Sequence, residues 1–244
     1  MSKIDETRRG KTAPNAGTGI SLAEQAYQRI KDKILTLELR PGLFLNESAL
    51  CELTGIGRMP VHQAIQRLRV ERLIEVIPRK GLVVRFDSLH DILALIEARL
   101  AMEPEVVALA AQRASPAQLK ALRELLKKSK TLTKGAAEQV ERRACSEAPM
   151  PSRREAFAQI DHAFHTLISE AASNPFLADA QRPLHDRSNM MWHLRVMPED
   201  GLMLTQREHE ALYNAILQQD AQGAREAIRA HLLSLQNRIL KASA

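Results

Sequence analysis

Cysteine is nearly absent from this sequence. Cys51 and Cys145 are the only two in 244 residues, too few for a disulfide framework, so a reducing, cytoplasmic setting is expected. Aromatic residues are scarce as well, at 3%, while Ala, Leu, Arg, Glu and Gln abound, which favours helices over sheets. No apolar run approaches the roughly 18 residues that a membrane span requires, and no membrane partner is expected. The first 19 residues contain no hydrophobic segment, so no secretory leader is expected either. What remains is the composition of a soluble globular chain, 45% hydrophobic and 26% charged.

The net charge of +6 is unevenly placed. Residues 1–19 carry four Lys/Arg against two Asp/Glu, and residues 20–86 carry eleven against seven. Residues 87–244 carry twenty of each and are neutral. The excess positive charge is therefore confined to the first third of the chain, where a polyanion would be attracted.

Residues 1–19 are polar with no periodic apolar face and read as a disordered arm. Ser21 and Glu24 have the spacing of a capping box. A first helix is expected from Ser21 to Leu39, with Leu22, Ala26, Ile30, Ile34 and Leu37 facing inward. Arg40-Pro41-Gly42 stops it. A short helix from Asn46 to Thr54 follows, with Ala49, Leu50 and Leu53 inward. After the turn Gly55-Ile56-Gly57, a third helix starts near Met59-Pro60 and buries Val61, Ala64, Ile65 and Leu68. Two β segments, Leu73–Ile77 and Leu82–Phe86, flank the turn Pro78-Arg79-Lys80-Gly81. That order is a winged helix-turn-helix, spanning residues 20–86. From Ser88 onward the pattern is helical: Ser88–Ala114, Ser115–Lys130, Arg153–Ser173, Pro175–Leu194, Thr205–Gln219 and Ala221–Ala242. Residues 131–152 read as a loop or an added helical turn, and Arg195–Gly201 as a short loop. The expected fold is mainly α, with an N-terminal winged helix-turn-helix and a C-terminal antiparallel bundle of about six helices over residues 87–244.

With the apolar side of the third helix buried, its other face presents Met59, His62, Gln63, Gln66 and Arg67, and Arg58 stands at its entrance. Gln can pair bidentately with adenine and Arg with guanine in the major groove. Arg79, Lys80 and Gly81 form a basic tip suited to the minor groove. Charge and periodicity alone leave this surface equally readable as an ordinary solvated face. The order and spacing of Pro41-Gly42, Leu50, Leu53, Gly55, Arg58, Pro60-Val61, Ala64, Leu68, Leu73, Pro78 and Gly81 go further. This stretch of about 65 residues resembles the winged-helix domain of the GntR family of regulators. The resemblance implies that Arg58 contacts DNA and that Gly81 approaches the minor groove. His62 stands where that family usually has Arg, Ser48 where Arg is common and Met59 where Thr is common. These departures put any operator borrowed from relatives in doubt.

Asp161 and His165 lie four apart on one helix, so they project from adjacent turns. His209 and His231 sit at the edges of apolar stripes on the last two helices. Three imidazoles and a carboxylate suit Zn²⁺, Ni²⁺, Mn²⁺ or Fe²⁺. Spacing leaves open whether the helices converge or whether each histidine is a separate, hydrogen-bonded core residue. Residues 88–240 resemble the all-helical ligand domain of the FadR subfamily, of FCD type. The matching features are Ala98-Arg99, Glu103-Pro104, Asp161 to His165, Asn174-Pro175, Glu208-His209, Ala215-Ile216 and His231. The resemblance implies that Asp161, His165, His209 and His231 hold a divalent ion and that Arg99 faces the cavity as an anion partner. A salt bridge to a neighbouring helix is the plainer role for Arg99. His162 points about 100° away from Asp161 and is left out. His185 and His193 could line the same pocket or serve in packing, as could Trp192. Arg187 and Arg195 are lesser anion candidates.

The function expected is therefore a homodimeric, cytoplasmic transcription regulator, most simply a repressor. It would bind a near-palindromic double-stranded DNA operator and respond to a small organic or sugar acid at the metal. A competing reading is a helical metal-dependent hydrolase using the same four ligands, although no separate nucleophile or acid–base pair accompanies them. A third is an architectural protein that binds DNA without sequence preference, which would leave the neutral bundle unexplained.

Overall fold

Ser21 starts the fold by accepting the free amide of Glu24 on its hydroxyl at 3.1 Å, and helix α1 (Leu22–Leu35) follows. The computed structural model describes residues 20–134, 152–193 and 201–242. The expected arm (1–19), most of the 131–152 segment and most of the 195–201 loop lie outside the described residues. α1 is shorter than the apolar spacing predicts: it ends at Leu35, and Leu37 adopts a left-handed φ of +60°. Leu22 is exposed, while Ala26, Ile30 and Ile34 form the buried stripe.

A two-residue strand, β1 (Phe44–Leu45), comes next, and was not anticipated because two residues carry no period. Helix α2 (Glu47–Thr54) is capped by the Asn46 side chain on Ala49 N, and Gly55 ends it at φ +66°. Such a side-chain cap contributes about 1 kcal/mol. Only Leu50 and Thr54 of α2 are buried; Ala49 and Leu53, expected inward, are exposed. Helix α3 (Arg58–Val70) buries Val61, Ala64, Ile65 and Leu68 as its spacing requires. Strands β2 (Ile74–Ile77) and β3 (Gly81–Val84) complete an antiparallel sheet in the order β1-β3-β2, with Leu45 opposite Leu82 and Ile77 opposite Gly81. Gly81 takes φ +99°, and a Cβ there would stand 2.8 Å from the Leu45 carbonyl oxygen. Its glycine is therefore required by the sheet itself, whatever it does on DNA.

The remaining described chain is helical: α4 (Leu89–Arg113), α5 (Pro116–Lys134), α6 (Arg153–Ala171), α7 (Pro175–His193), α8 (Gly201–Leu217) and α9 (Ala221–Ala242). Reciprocal capping boxes, Ser88 with Asp91 and Ser152 with Glu155, start α4 and α6. α5 continues to Lys134 where a loop or extra turn was expected from 131, and α8 begins at Gly201, four residues before the expected start.

Two apolar clusters result. One fills the winged helix with Ala26, Ile30, Ile34, Leu50, Val61, Leu68 and Val84, and the other fills the bundle with Ile96, Val106, Leu122, Phe157, Phe164, Leu212, Ile228 and Leu232. Each fully buried Leu or Ile contributes about 1.5–3 kcal/mol. Met190 of α7 is an exception to the division: it is buried in the winged-helix cluster although its helix belongs to the bundle. No described helix is long and apolar enough to cross a membrane.

Candidate DNA-reading surface and metal centre

α3 begins at Arg58 after Gly57, and no side chain caps its first turn. Its first amides are thus free to meet an anion. Arg58, Met59, His62 and Gln63 are exposed together on this helix, with Gln66 partly exposed, and Arg79 and Lys80 stand exposed at the wing tip. The structure gives His62 a partner: its Nδ1 lies 2.7 Å from Glu47 Oε1, and Gln66 Nε2 lies 3.4 Å from its Nε2. Arg67 differs from the rest of the expected set. Its guanidinium stacks 3.6 Å over the Tyr27 ring, donates to Glu24 at 2.6 Å and pairs with Glu71 at 3.4 Å. With partners on α1 and at the end of α3, Arg67 is tied within the domain, yet its side chain stays 42% exposed, one turn after Gln63 on the same helix. Glu24 is diverted from the expected capping box for the same reason.

In the bundle, α6, α8 and α9 carry His165, His209 and His231 to one point, with ligand nitrogens within 4.8 Å of one another and all three residues buried. Their ring centroids are 5.0–5.5 Å apart. Asp161 Oδ1 lies 3.5 Å from His209 Nε2 and faces the same cavity as His165 and His231. Phe164 stacks on His209 at 4.6 Å and fixes that ring. The convergence left open by spacing is therefore present.

His231 Nδ1 meets Glu208 Oε2 at 2.8 Å, which orients the ring and leaves its Nε2 for the cavity. Hydrogen bonding to His231 holds the Glu208 carboxyl below its ordinary range against burial, which acts to raise it. Burial, then the neighbouring imidazoles, hold His165 well below the ordinary histidine range; burial, then His231 and Arg99, do the same for His209. Neutral imidazoles present lone pairs, and His165 Nε2 and His209 Nε2 are both buried without a hydrogen-bond partner. Buried polar atoms are rarely left so, and this donor set fits a divalent ion with N/O preference. Cys51 lies in α2, in the other unit.

Arg99 is buried in α4 and lines the cavity. Its Nε donates to Glu103 at 2.5 Å and its Nη1 to Ser188 at 2.6 Å. The cavity-facing position expected of it is present, but its salt bridge is to Glu103 on its own helix, and its contact with the neighbouring helix α7 is a hydrogen bond to Ser188. His185 is buried beside it, with Nε2 3.1 Å from Glu103 Oε1 and its ring 5.2 Å from His165. Burial would raise the Glu103 carboxyl, but Arg99 and His185 pull it far below its ordinary range. His162, left out of the metal set, bonds instead to Asp186 at 2.7 Å. Arg187 pairs with Asp87 in the linker. The side chains of Trp192 and His193, and all of Arg195, lie outside the described residues.

The pattern described as "Bacterial regulatory proteins, gntR family" matches residues 22–84, and that of the "FCD domain" matches residues 94–234. The chain belongs to the GntR family. Within it, the chain is similar to the HTH-type transcriptional repressor GlaR of Escherichia coli (strain K12), 28% identical over 212 residues covering 85% of this chain and 91% of GlaR. It is also similar to the Uxu operon regulator of Haemophilus influenzae, 24% identical over 245 residues covering 91% of this chain and 85% of that protein. The solved structure of E. coli McbR/YncC shares the fold, with a TM-score of 0.72 at 21% identity over 93% of this chain and all of that one. As a GntR-family member with an FCD domain, the protein is a DNA-binding transcription regulator and not an enzyme. The hydrolase reading finds no support among the relatives.

Sequence reasoning did not single out Glu103, Glu208 or Arg238 as part of the site. Two signals were present. Glu103 stands one turn after Arg99, and Arg238 two turns after His231, so each shares a helix face with a residue already suspected.

Proposed function

We propose that this regulator holds a divalent metal ion on Asp161, His165, His209 and His231 and binds a small carboxylate there to control its affinity for an operator. The observation that carries this reading is the pair of buried imidazole nitrogens on His165 and His209 that have no hydrogen-bond partner and converge with His231. Zn²⁺, Ni²⁺, Mn²⁺ and Fe²⁺ suit the donors. When bound, such an ion supplies open coordination positions for a carboxylate, with Arg99 as the adjacent cation.

On the DNA side, Met59, His62, Gln63 and Gln66 read the major groove, Arg58 meets backbone phosphate at the entrance of α3, and Arg79, Lys80 and Gly81 follow the wing into the minor groove. Arg67 acts from behind, by holding α3 against α1. The protein works as a cytoplasmic homodimer on a near-palindromic site, its heads being residues 20–86 and its sensor residues 87–244. Repression is supported by the name of GlaR, a repressor.

Helix α7 is suited to join the two functions. Ser188 and Met191 line the metal cavity, whereas Asp186 pairs with Lys31 of α1, Arg187 with Asp87 of the linker, and Met190 enters the winged-helix core. An acid that draws on Arg99 and Ser188 would shift a helix that also holds the head. The operator affinity then changes by the difference in acid affinity between the two arrangements.

Elemental analysis of purified protein, followed by operator binding with and without a panel of small acids, tests this. We expect about one ion per chain, and an acid effect on operator affinity that vanishes on chelation. Metal-free protein that still responds to an acid would overturn the reading.

A further inference from the structure

Two guanidinium groups share the metal cavity, Arg99 buried and Arg238 with its side chain 11% exposed, and they are unequally satisfied. Arg99 has short bonds to Glu103 and Ser188 at 2.5 and 2.6 Å. Arg238, on α9 two turns beyond His231, makes three long ones: Nη1 to Ser234 Oγ at 3.2 Å and to Glu208 Oε1 at 3.4 Å, and Nη2 to Thr205 Oγ1 at 3.3 Å. Its Nε is buried with no partner. Glu208 serves His231 first, at 2.8 Å, so it only partly compensates Arg238. A guanidinium has five donors in a rigid fork, and leaving them weakly used in a buried place is costly unless an acceptor arrives.

We infer that Arg238 is a second anion contact of the effector site and that the ligand is a short dicarboxylic acid. This rests on the metal-and-carboxylate reading above. One carboxylate lies against the histidine cluster and Arg99. The other takes the Arg238 fork, with the Thr205 hydroxyl beside it, and the methylenes between them lie on Met191 and Leu235, which line the same cavity. Only about 10 Å³ is open there, roughly room for one water. An acid therefore enters only as Arg238 gives up its long contacts and the cavity side chains move apart, a displacement that grows with ligand size, so a short chain asks for the least.

The test is isothermal titration of full-length, metal-loaded protein with malonate and succinate, and with propionate and butyrate as chain-matched monoacids. Wild type should bind one of the diacids about tenfold or more tighter than its matched monoacid, a difference of the size expected of one charge-assisted contact. In Arg238→Gln this advantage should fall to about twofold, with monoacid affinity and metal content unchanged; Arg238→Lys should restore part of it. Equal, metal-dependent binding of diacid and monoacid by wild type would overturn the diacid proposal and leave the metal-and-carboxylate reading standing. An equal loss of both acids in Arg238→Gln would make Arg238 a structural residue and likewise overturn it. Binding of neither class, or binding that ignores chelation, would overturn both.

Discussion

Lys31 Nζ and Asp186 Oδ2 meet 2.5 Å apart across the junction between the winged helix and the bundle, and both residues are almost wholly buried. Lys31 also donates to Glu71 at 2.8 Å and to the Tyr27 hydroxyl at 2.6 Å, while Asp186 Oδ1 is bonded by His162. The neighbouring residue on α6 is the candidate ligand Asp161. Removing one member of a buried pair leaves the other charge uncompensated, at a cost of about 3–5 kcal/mol. Lys31→Met should accordingly lower the melting temperature by roughly 6–20 °C. Asp186→Asn keeps an acceptor and should be milder. Its expected signature is an operator affinity close to wild type with a weakened response to acid, measured by fluorescence anisotropy with and without ligand. A full response in Asp186→Asn would remove α7 from the coupling.

The same carboxylate gives a pH dependence with a definite sign. Burial acts to raise Asp186, but hydrogen bonding from His162 and the Lys31 charge hold it below its ordinary 3.8. A carboxyl depressed in the folded state stabilises at pH above its unfolded value, and that stabilisation drains away as pH falls through the folded one. The melting gap between wild type and Asp186→Asn should therefore be level from about pH 7 to 5 and close below about pH 4. Thermal melts over that range decide it: a gap that widens on acidification contradicts the assignment.

Much of this was legible before any coordinates. The helical period gave the buried side of α3 because four apolar residues at that spacing admit one solution, and Asp161 and His165 were paired by their separation of four. What was hidden were relationships between elements distant in sequence. Nothing local to Arg67 announces that it stacks on Tyr27 and pairs with Glu24, some forty residues earlier. Leu37 matched the apolar period of α1, but the chain leaves the helix there: Leu37 takes φ +60° and Leu39 N returns to the Lys33 carbonyl at 2.8 Å. Met190 lies on a bundle helix, and only the packing of that helix against α1 carries it into the winged-helix core. Convergence of the histidines on three helices likewise depends on tertiary packing, which spacing along the chain does not encode.

Arg58 and Arg67 should separate cleanly in a salt titration. Arg58 is exposed at an uncapped helix start, so Arg58→Ala should weaken operator binding across sequences and reduce the salt slope by about one. Arg67→Ala should leave that slope unchanged. Its loss is the stacking on Tyr27 and the bonds to Glu24 and Glu71, so it should lower thermal stability by about 1–2 kcal/mol. A change in salt slope for Arg67→Ala equal to that for Arg58→Ala would return Arg67 to the DNA contact set.

Glu208 offers a test of the metal centre that leaves every ligand in place. Its carboxylate accepts from His231 Nδ1 at 2.8 Å and so selects the tautomer whose Nε2 lone pair faces the cavity. Glu208→Gln retains shape but loses the carboxylate charge that holds the His231 ring in place, and such changes weaken metal binding by about 10–100-fold. His231→Ala removes the ligand itself and should cost more. Because an ion bound only by the folded state stabilises it in proportion to the logarithm of its affinity, the stabilisation by saturating Zn²⁺ should fall by about 1.4–2.7 kcal/mol in Glu208→Gln. Metal-free Glu208→Gln loses the charge beside Arg238 and should itself melt below metal-free wild type, so each protein is compared with and without chelator and only the increment from Zn²⁺ is read. If both proteins gain equally from Zn²⁺, the ion does not bind at His231, and the site must be sought instead on Glu103, His165 and His185, the other buried group with its ligand atoms within reach of one another.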